Sequence, residues 1–199
     1  SDGIGIRILE KYGHSIAQTK PALVPFELKE DVGARLQGLA LKNVNFSIKN
    51  GKKKVYDGFG EMLFTHFGVS GPLVLSASAF YAKHKKGNIS LYIDLKPALS
   101  EKELDERILR DFSKFTNKDF RNSLGELLPI KLIDHIIKLS GIDPFKKVNS
   151  ITKEERKKLL NAVKHLRFTV EKYRPIDEAI VTSGGINVKE INSSTMESK

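Results

Sequence analysis

Between about residue 98 and residue 166 the apolar side chains recur at helical spacing, while on both flanks they alternate with the period of a strand. A helical block enclosed by β sequence constrains the fold more than any other feature of the chain. The flanking strands have to meet across the block, because an isolated strand pair buries too little to be stable. The pattern predicts an α+β fold: an antiparallel β-barrel-like domain with a small helical-bundle subdomain nested in it.

The helical block has sharp punctuation. Ser100-Glu101-Lys102-Glu103 and Thr152-Lys153-Glu154-Glu155 are capping boxes, each pairing a hydroxyl and a carboxylate with free backbone donors at a helix start. Leu104, Ile108, Phe112 and Phe115 follow the first, and Leu159, Leu160, Val163 and Leu166 follow the second. Between them the spacing predicts a helix over about 117–127 and another over 130–140, packed through Ile133, Ile136, Ile137 and Leu139 and stopped by Gly141. Four short helices with brief connections make a compact bundle.

On the N-terminal side, Asp2–Tyr12 reads as a short helix ended by Gly13. Extended segments follow at 14–17 and 23–28, with Pro21 and Pro25 marking edges. Leu39–Ile48 alternates with one slip, and Asn50-Gly51 predicts a tight hairpin in which both residues take positive φ. The return strand covers Lys54–Phe59, a helix covers Pro72–Lys83, and Ile89–Leu95 alternates again. Beyond the block, Arg167–Tyr173, Ala179–Thr182 and Ile186–Ile191 read as three more strands.

Composition removes several functions. The chain has no cysteine, which excludes disulfides, thiolate metal sites and a cysteine nucleophile and points to a cytoplasmic setting. No apolar run approaches the ~20 residues of a membrane helix. The five histidines never fall three or four apart, so no metal pair is expected, and Asp134-His135 reads as an ordinary surface pair. No Gly-x-Ser-x-Gly, Gly-x-Gly-x-x-Gly or phosphate-loop motif occurs. The net charge of +10 admits an anionic partner such as nucleic acid. Its densest runs, Lys52-Lys53-Lys54 and Lys83-His84-Lys85-Lys86, adjoin glycines and read as solvated turn tips, which makes nucleic acid a rival expectation rather than the leading one.

Three stretches mix glycine, hydroxyls and aromatics more densely than a core requires: Gly60–Pro72, Asp177–Ile186 and Thr195–Lys199. Singly they read as a strand-to-helix turn, a hairpin turn or bulge, and a frayed polar tail. In order, and joined by Lys20–Pro25 and Leu41–Val44, they resemble the BaiN-like (aminoacetone oxidase-type) family of bacterial NAD(P)/FAD-dependent oxidoreductases. The resemblance implies a Rossmann-like FAD domain split in sequence by a barrel-like insert that carries a helical subdomain. Residues 1–13 are then expected to be a short helix left over from the FAD-binding domain. Residues 14–97 with 167–192 are expected to form the insert, 98–166 the helical subdomain, and 193–199 the return to the FAD domain.

It further implies that the flavin fingerprint lies upstream of a segment like Ser1-Asp2-Gly3, so that the chain alone binds no flavin and is inactive. Thr182, Gly184 and Gly185 are expected to face the FAD of the full-length protein. Thr65, His66, Gly68, Ser70 and Gly71 are expected to line a cleft for a small-molecule substrate, with NAD(P)H as a possible electron donor. The expected partner is the FAD-binding domain of the same polypeptide. A free-standing interaction or scaffolding domain, presenting an apolar face of the bundle, remains a third possibility.

Overall fold

The computed structural model describes residues 3–81 and 89–199. Strands β2 (Phe26–Leu28), β3 (Ala40–Asn50), β4 (Lys53–Phe64), β5 (Gly68–Ser70), β6 (Ile89–Asp94) and β7 (Leu166–Tyr173) close into a barrel in the order β2-β5-β4-β3-β6-β7. Every pair is antiparallel, and β7 returns to β2 through Phe26↔Tyr173 and Leu28↔Val170. Closure removes the free edges that would otherwise template aggregation. Strands from both sides of the helical block do meet, as the alternation requires.

The alternation fixes what the barrel encloses. Val44, Phe46 and Ile48 of β3, Met62 and Phe64 of β4, and Leu91 and Ile93 of β6 are buried. Burying each such side chain stabilises the fold by roughly 1.5–3 kcal/mol. The slip in β3 is a bulge: Asn43 takes φ 55, and pairing with β4 shifts between Leu41 and Val44. The hairpin differs from expectation in its loop. Asn50 still pairs with Lys53, so the loop is Gly51-Lys52 and only Gly51, at φ 58, has positive φ. That is the arrangement in which glycine takes the first central position of a two-residue turn. The return strand also runs beyond Phe59 to Phe64, because Gly60, Met62 and Leu63 keep pairing with β3 and Phe64 pairs with Val69 of β5.

Between β6 and β7 lie three α-helices rather than four: α4 (Glu101–Lys114), α5 (Ile130–Ser140) and α6 (Lys153–Lys164). Both capping boxes form as predicted, on Ser100 with Glu103 and on Thr152 with Glu155. The helix expected over 117–127 is a single 3₁₀ turn at Phe120–Ser123. Its backbone is drawn off by residues 144–148: Phe120 N–H donates to the Lys146 carbonyl at 2.9 Å, Arg121 N–H to Pro144 at 3.1 Å, and Val148 N–H to Lys118 at 3.1 Å. Asn117, Asp119 and Asn122 favour such local alternatives to a helix. Within α5 the buried side is Leu132, Ile136 and Ile137, while Leu139 is exposed. Gly141 closes the helix at φ 66, as expected of a glycine cap.

Barrel and helices share one continuous core. His135 of α5 is not a surface residue; its ring stacks on Phe168 of β7 at 5.3 Å and 20°, and Phe168 in turn meets Phe64 edge-on at 5.6 Å. Lys164 of α6 pairs with Asp94 of β6 at 2.6 Å, tying the ends of the helical block to the barrel.

Outside the barrel, α1 (Ile4–Lys11) precedes β1 (Ile16–Ala22), which pairs only with β8 (Val181–Ile186) in a two-stranded ribbon. The residue expected to open α1, Asp2, lies outside the described residues, and Gly3 caps the helix instead. α2 (Gly33–Leu36) is a single turn between β2 and β3. α3 (Pro72–Tyr81) starts on proline as predicted, and its expected last turn, with the basic run 83–86, lies outside the described residues. The stretch expected as a strand at 186–191 is a 3₁₀ turn at Val188–Glu190, led by an Asn187 side chain that accepts the Lys189 N–H.

Candidate functional site

The ribbon carries the double glycine. Gly184 and Gly185 lie inside β8 rather than between two strands, opposite a register shift in β1 between Ala17 and Lys20. At Gly184, φ is 98 and a Cβ would stand 2.5 Å from the Gln18 carbonyl oxygen. Only glycine lets the two backbones approach so closely. Gly185, at φ 109 and buried, pairs with Ala17 and has open space on the side where a Cβ would project.

Two grooves flank this strand. Thr182 lines one of about 350 Å³ together with Gly3 and Ile6 of α1, Thr19 of β1, and Asp177 and Ile180. Gly184 lines another of about 500 Å³ with Ile16, Ile186 and Val188. The structure therefore brings Thr182, Gly184 and Gly185 onto one strand but divides Thr182 and Gly184 between two hollows.

Thr65, His66, Gly68, Ser70 and Gly71 line neither groove. They form the β4–β5 turn and its exit into α3. Thr65 accepts the Gly68 N–H on its hydroxyl at 3.1 Å and donates its own N–H to the Gly68 carbonyl at 2.9 Å. A Cβ on Gly68 would stand 2.3 Å from the Phe26 carbonyl oxygen, so this glycine serves strand packing. Gly71, at φ 94, accepts the first helical hydrogen bond of α3 from Leu75. His66 is exposed at the tip, its ring edge-on to Phe67 at 4.9 Å.

The turn is joined to the groove by Arg174. Its guanidinium lies over the Phe67 ring, 4.7 Å from the centroid, donates to Glu27 at 2.8 Å and pairs with Glu178. Arg174 and Glu27 share this contact across 147 residues of sequence, which is why no spacing pattern announced it. The paired guanidinium holds the Glu178 carboxyl below its ordinary range, and His66 adds to the effect. Glu178 sits between Asp177 and Ala179, both of which line the Thr182 groove. Two of the three stretches singled out from sequence thus meet through one arginine.

The third stretch is ordered as well. Residues 192–197 form a turn in which Asn192 N–H donates to Glu197 at 2.8 Å and Met196 N–H to Asn192 at 2.8 Å. Ser198 then reaches the His14 ring at 3.1 Å, and the other ring nitrogen of His14 contacts Glu190 at 3.0 Å. Glu190 also accepts the Ser15 N–H at 3.0 Å and the Ser15 hydroxyl. These bonds, the Ser15 hydroxyl first, lower the Glu190 pKa. The cluster clasps the segment before β1 to the segment after β8.

Apolar side chains are left in solvent on α1, on the ribbon and on the segments that flank it. Ile4, Ile8, Tyr12, Ile176, Ile180, Val181, Val188 and Met196 are all exposed, Ile180 by 68%. Nothing in α1 is buried although the helix is amphipathic. Among the described residues no three His, Cys, Asp or Glu side chains gather as a metal site, and no helix is long and apolar enough to cross a membrane.

Comparison with known proteins agrees with this architecture. A family model described as HI0933-like protein barrel and H2TH domain matches residues 20–181. A ribosomal RNA dihydrouridine synthase from Haemophilus influenzae is 31% identical over 98% of this chain and 46% of its own length. One of the same name from Escherichia coli is 28% identical over 98% of this chain and 46% of its own length. A 3-dehydro-bile acid delta(4,6)-reductase from Clostridium scindens is 25% identical over 100% of this chain and 49% of its own length. The chain spans about half the length of the curated relatives it matches.

Proposed function

The chain belongs to the HI0933-like barrel and H2TH domain family of flavoprotein oxidoreductases, and from that membership we propose that it is the substrate-side insert of a flavin-dependent reductase. In this reading 14–97 with 167–192 form the insert, 98–166 its helical subdomain, and 1–13 and 193–199 the crossings to an FAD-binding domain of the same polypeptide. The observation that carries the proposal is the set of exposed apolar side chains on α1 and at the start of β8, the strand that holds the double glycine. A two-stranded ribbon is marginal by itself, and a covering domain gives those side chains a partner. Membership does not favour a free-standing nucleic-acid-binding module.

The residues present fit the edge of a flavin but not the whole cofactor. Gly185 leaves open space where a side chain would stand, and Thr182 offers a hydroxyl in a groove. No Gly-x-Gly-x-x-Gly run is available to cradle a pyrophosphate. When bound, the flavin would supply hydride, drawn from NAD(P)H. The chain's own contribution would be to exclude water, orient the substrate and offer Thr182 and His66 as polar groups at the cleft.

The names of the relatives describe one kind of chemistry. A delta(4,6)-reductase of a 3-oxo steroid and a dihydrouridine synthase both saturate a carbon–carbon double bond conjugated to a carbonyl. We propose the same reaction class here, in the cytoplasm, where a reduced nicotinamide is at hand. The test is to purify this chain alone and within its parent polypeptide. The chain alone should be colourless and the parent yellow, with Gly185→Val in the parent weakening flavin retention or shifting its visible spectrum. Stoichiometric flavin on the isolated chain, or a colourless parent, would overturn the reading.

A further inference from the structure

The outer wall of the barrel carries a polar hollow that shares no residue with the ribbon grooves. Along β3 the buried Val44, Phe46 and Ile48 alternate with Asn45, Ser47 and Lys49, which therefore face outwards. Register sets their neighbours on the same face. Ser47 lies between Asp57 of β4 and Tyr92 of β6, and Asn45 lies beside Asp94. The C-terminal end of α6 adds Lys164 to the wall of a space of about 210 Å³. All nine lining residues are polar or ionisable, whereas isoleucines line both ribbon grooves.

Most charges in the hollow are spent on one another. Lys54 pairs with Asp57 at 2.9 Å. Lys164 pairs with Asp94 at 2.6 Å and donates to the Lys96 and Leu99 carbonyls at 3.2 and 2.8 Å, which uses its three ammonium donors. Lys49 is held differently. Its ammonium lies over the Tyr92 ring, 4.4 Å from the centroid. A ring face attracts the charge but offers no lone pair, so the N–H donors remain for an anion. The two lysine–aspartate pairs cancel, and the hollow keeps the charge of Lys49.

At the Asn45 end the need is the opposite one. The Asn45 amide oxygen is buried and accepts no hydrogen bond among the described residues. Buried polar atoms are nearly always partnered, and an orphaned acceptor costs free energy until a donor meets it. Lys49 reaches back over Tyr92, the residue opposite Ser47. Two residues of strand, about 7 Å, then separate the waiting ammonium from the waiting oxygen.

We propose that this hollow binds a small hydroxycarboxylate of the sugar-acid class, its carboxylate accepting from Lys49 and one hydroxyl donating to Asn45. The charge of Lys49 selects a monoanion. The orphaned oxygen selects one that carries a hydrogen-bond donor away from its carboxylate, which simple aliphatic acids lack. The space has room for about seven waters, more than a lone inorganic anion fills. The site stands on the barrel wall and does not rest on the reductase reading.

The experiment is isothermal titration calorimetry of this chain with sodium D-gluconate. Binding should show a Kd below about 1 mM. Sorbitol has the hydroxyls without the carboxylate, and propionate the carboxylate without a hydroxyl; each should bind at least about tenfold more weakly. Lys49→Gln should weaken gluconate binding at least about tenfold and remove its salt dependence. Asn45→Leu should weaken it by a similar factor while raising the thermal midpoint of the free chain, because an apolar group needs no donor. That opposite movement separates a binding role from a structural one. Lys138→Gln on α5 should change neither. In nitrogen–proton correlation spectra gluconate should shift the amides of Asn45 and Ser47 and leave Gly185 in place.

The proposal falls if gluconate does not bind at that affinity, or if sorbitol, propionate or inorganic phosphate binds as well. It falls equally if Asn45→Leu fails to raise the midpoint or if Lys138→Gln matches Lys49→Gln. Because flavin plays no part, failure here leaves the reductase reading standing, and a colourless parent leaves this one standing.

Discussion

Arg174 covers the face of Phe67, with the guanidinium carbon 4.7 Å from the ring centroid, and so joins the β4–β5 turn to the strand that leads into the ribbon. The same guanidinium serves Glu27 and Glu178. Lysine retains the charge but neither the planar fork nor the stacking surface. Arg174→Lys should leave the fold intact while speeding amide exchange at Gly68 and Glu178, measured by hydrogen–deuterium exchange. Unchanged exchange at both would show that the arginine does not hold the turn.

Gly184→Ala should cost at least about 2 kcal/mol in the ribbon, from a left-handed backbone conformation and a contact with a carbonyl. That carbonyl is Gln18, 2.5 Å from the added carbon. The loss should appear as early melting of β1 and β8, seen as deprotection of Ala17 and Ser183, with the barrel unaffected. Gly185→Ala, which meets no atom within 4 Å, should cost less and so separates backbone strain from collision.

Gly33→Ala drives a methyl group against the His66 carbonyl, 2.2 Å away. Overpacking of this kind typically costs about 2 kcal/mol. The measurement is urea denaturation. A loss below about 0.5 kcal/mol, the range of neutral surface changes, would mean that the turn moves freely off α2.

Burial against Phe168 lowers the pKa of His135, with Lys138 and Arg35 adding to the effect and Glu30 opposing it. The unfolded chain therefore binds this proton more tightly than the folded one. Stability should fall as pH drops below the ordinary imidazole value of about 6.5 and level off beneath the folded pKa. His135→Asn should flatten that part of the profile in chemical denaturation at a series of pH values. An identical slope in the variant would assign the dependence elsewhere.

Glu190 works in the opposite sense. Its bonds to Ser15 and His14 lower its pKa, so the clasp is complete above the ordinary carboxylate value of about 4.3 and is lost as pH falls through the lower folded value. Glu190→Gln should expose the Ser15 amide to exchange at neutral pH as acid does in the wild type. Continued protection of Ser15 in the variant would count against the clasp.

Much of the fold was legible because its signals are local. The boxes at Ser100 and Thr152, the stop at Gly141 and the alternation of β3 and β6 are set by residues within a turn or a strand of one another, and the structure keeps each. The helix expected at 117–127 failed because a competitor 25 or so residues away, the 144–148 segment, takes its backbone hydrogen bonds, and nothing nearby in sequence signals that. Likewise His135 reads as a surface residue until Phe168 is laid against it.

The candidate site divides on the same line. Residue types alone marked Thr182–Gly185 and Thr65–Gly71 as unusual, since glycine in such density asks for close approach of backbones. Their connection depended on Arg174, Glu27 and Phe67, three residues without a motif, brought together only when the barrel closed. The sequence by itself determined the elements whose signals are local, the capped helices α4 and α6 and the alternating strands β3 and β6, because those follow from the periods of helix and strand. Only the tertiary structure decided which grooves exist and which charges pair, because both depend on contacts between residues far apart along the chain.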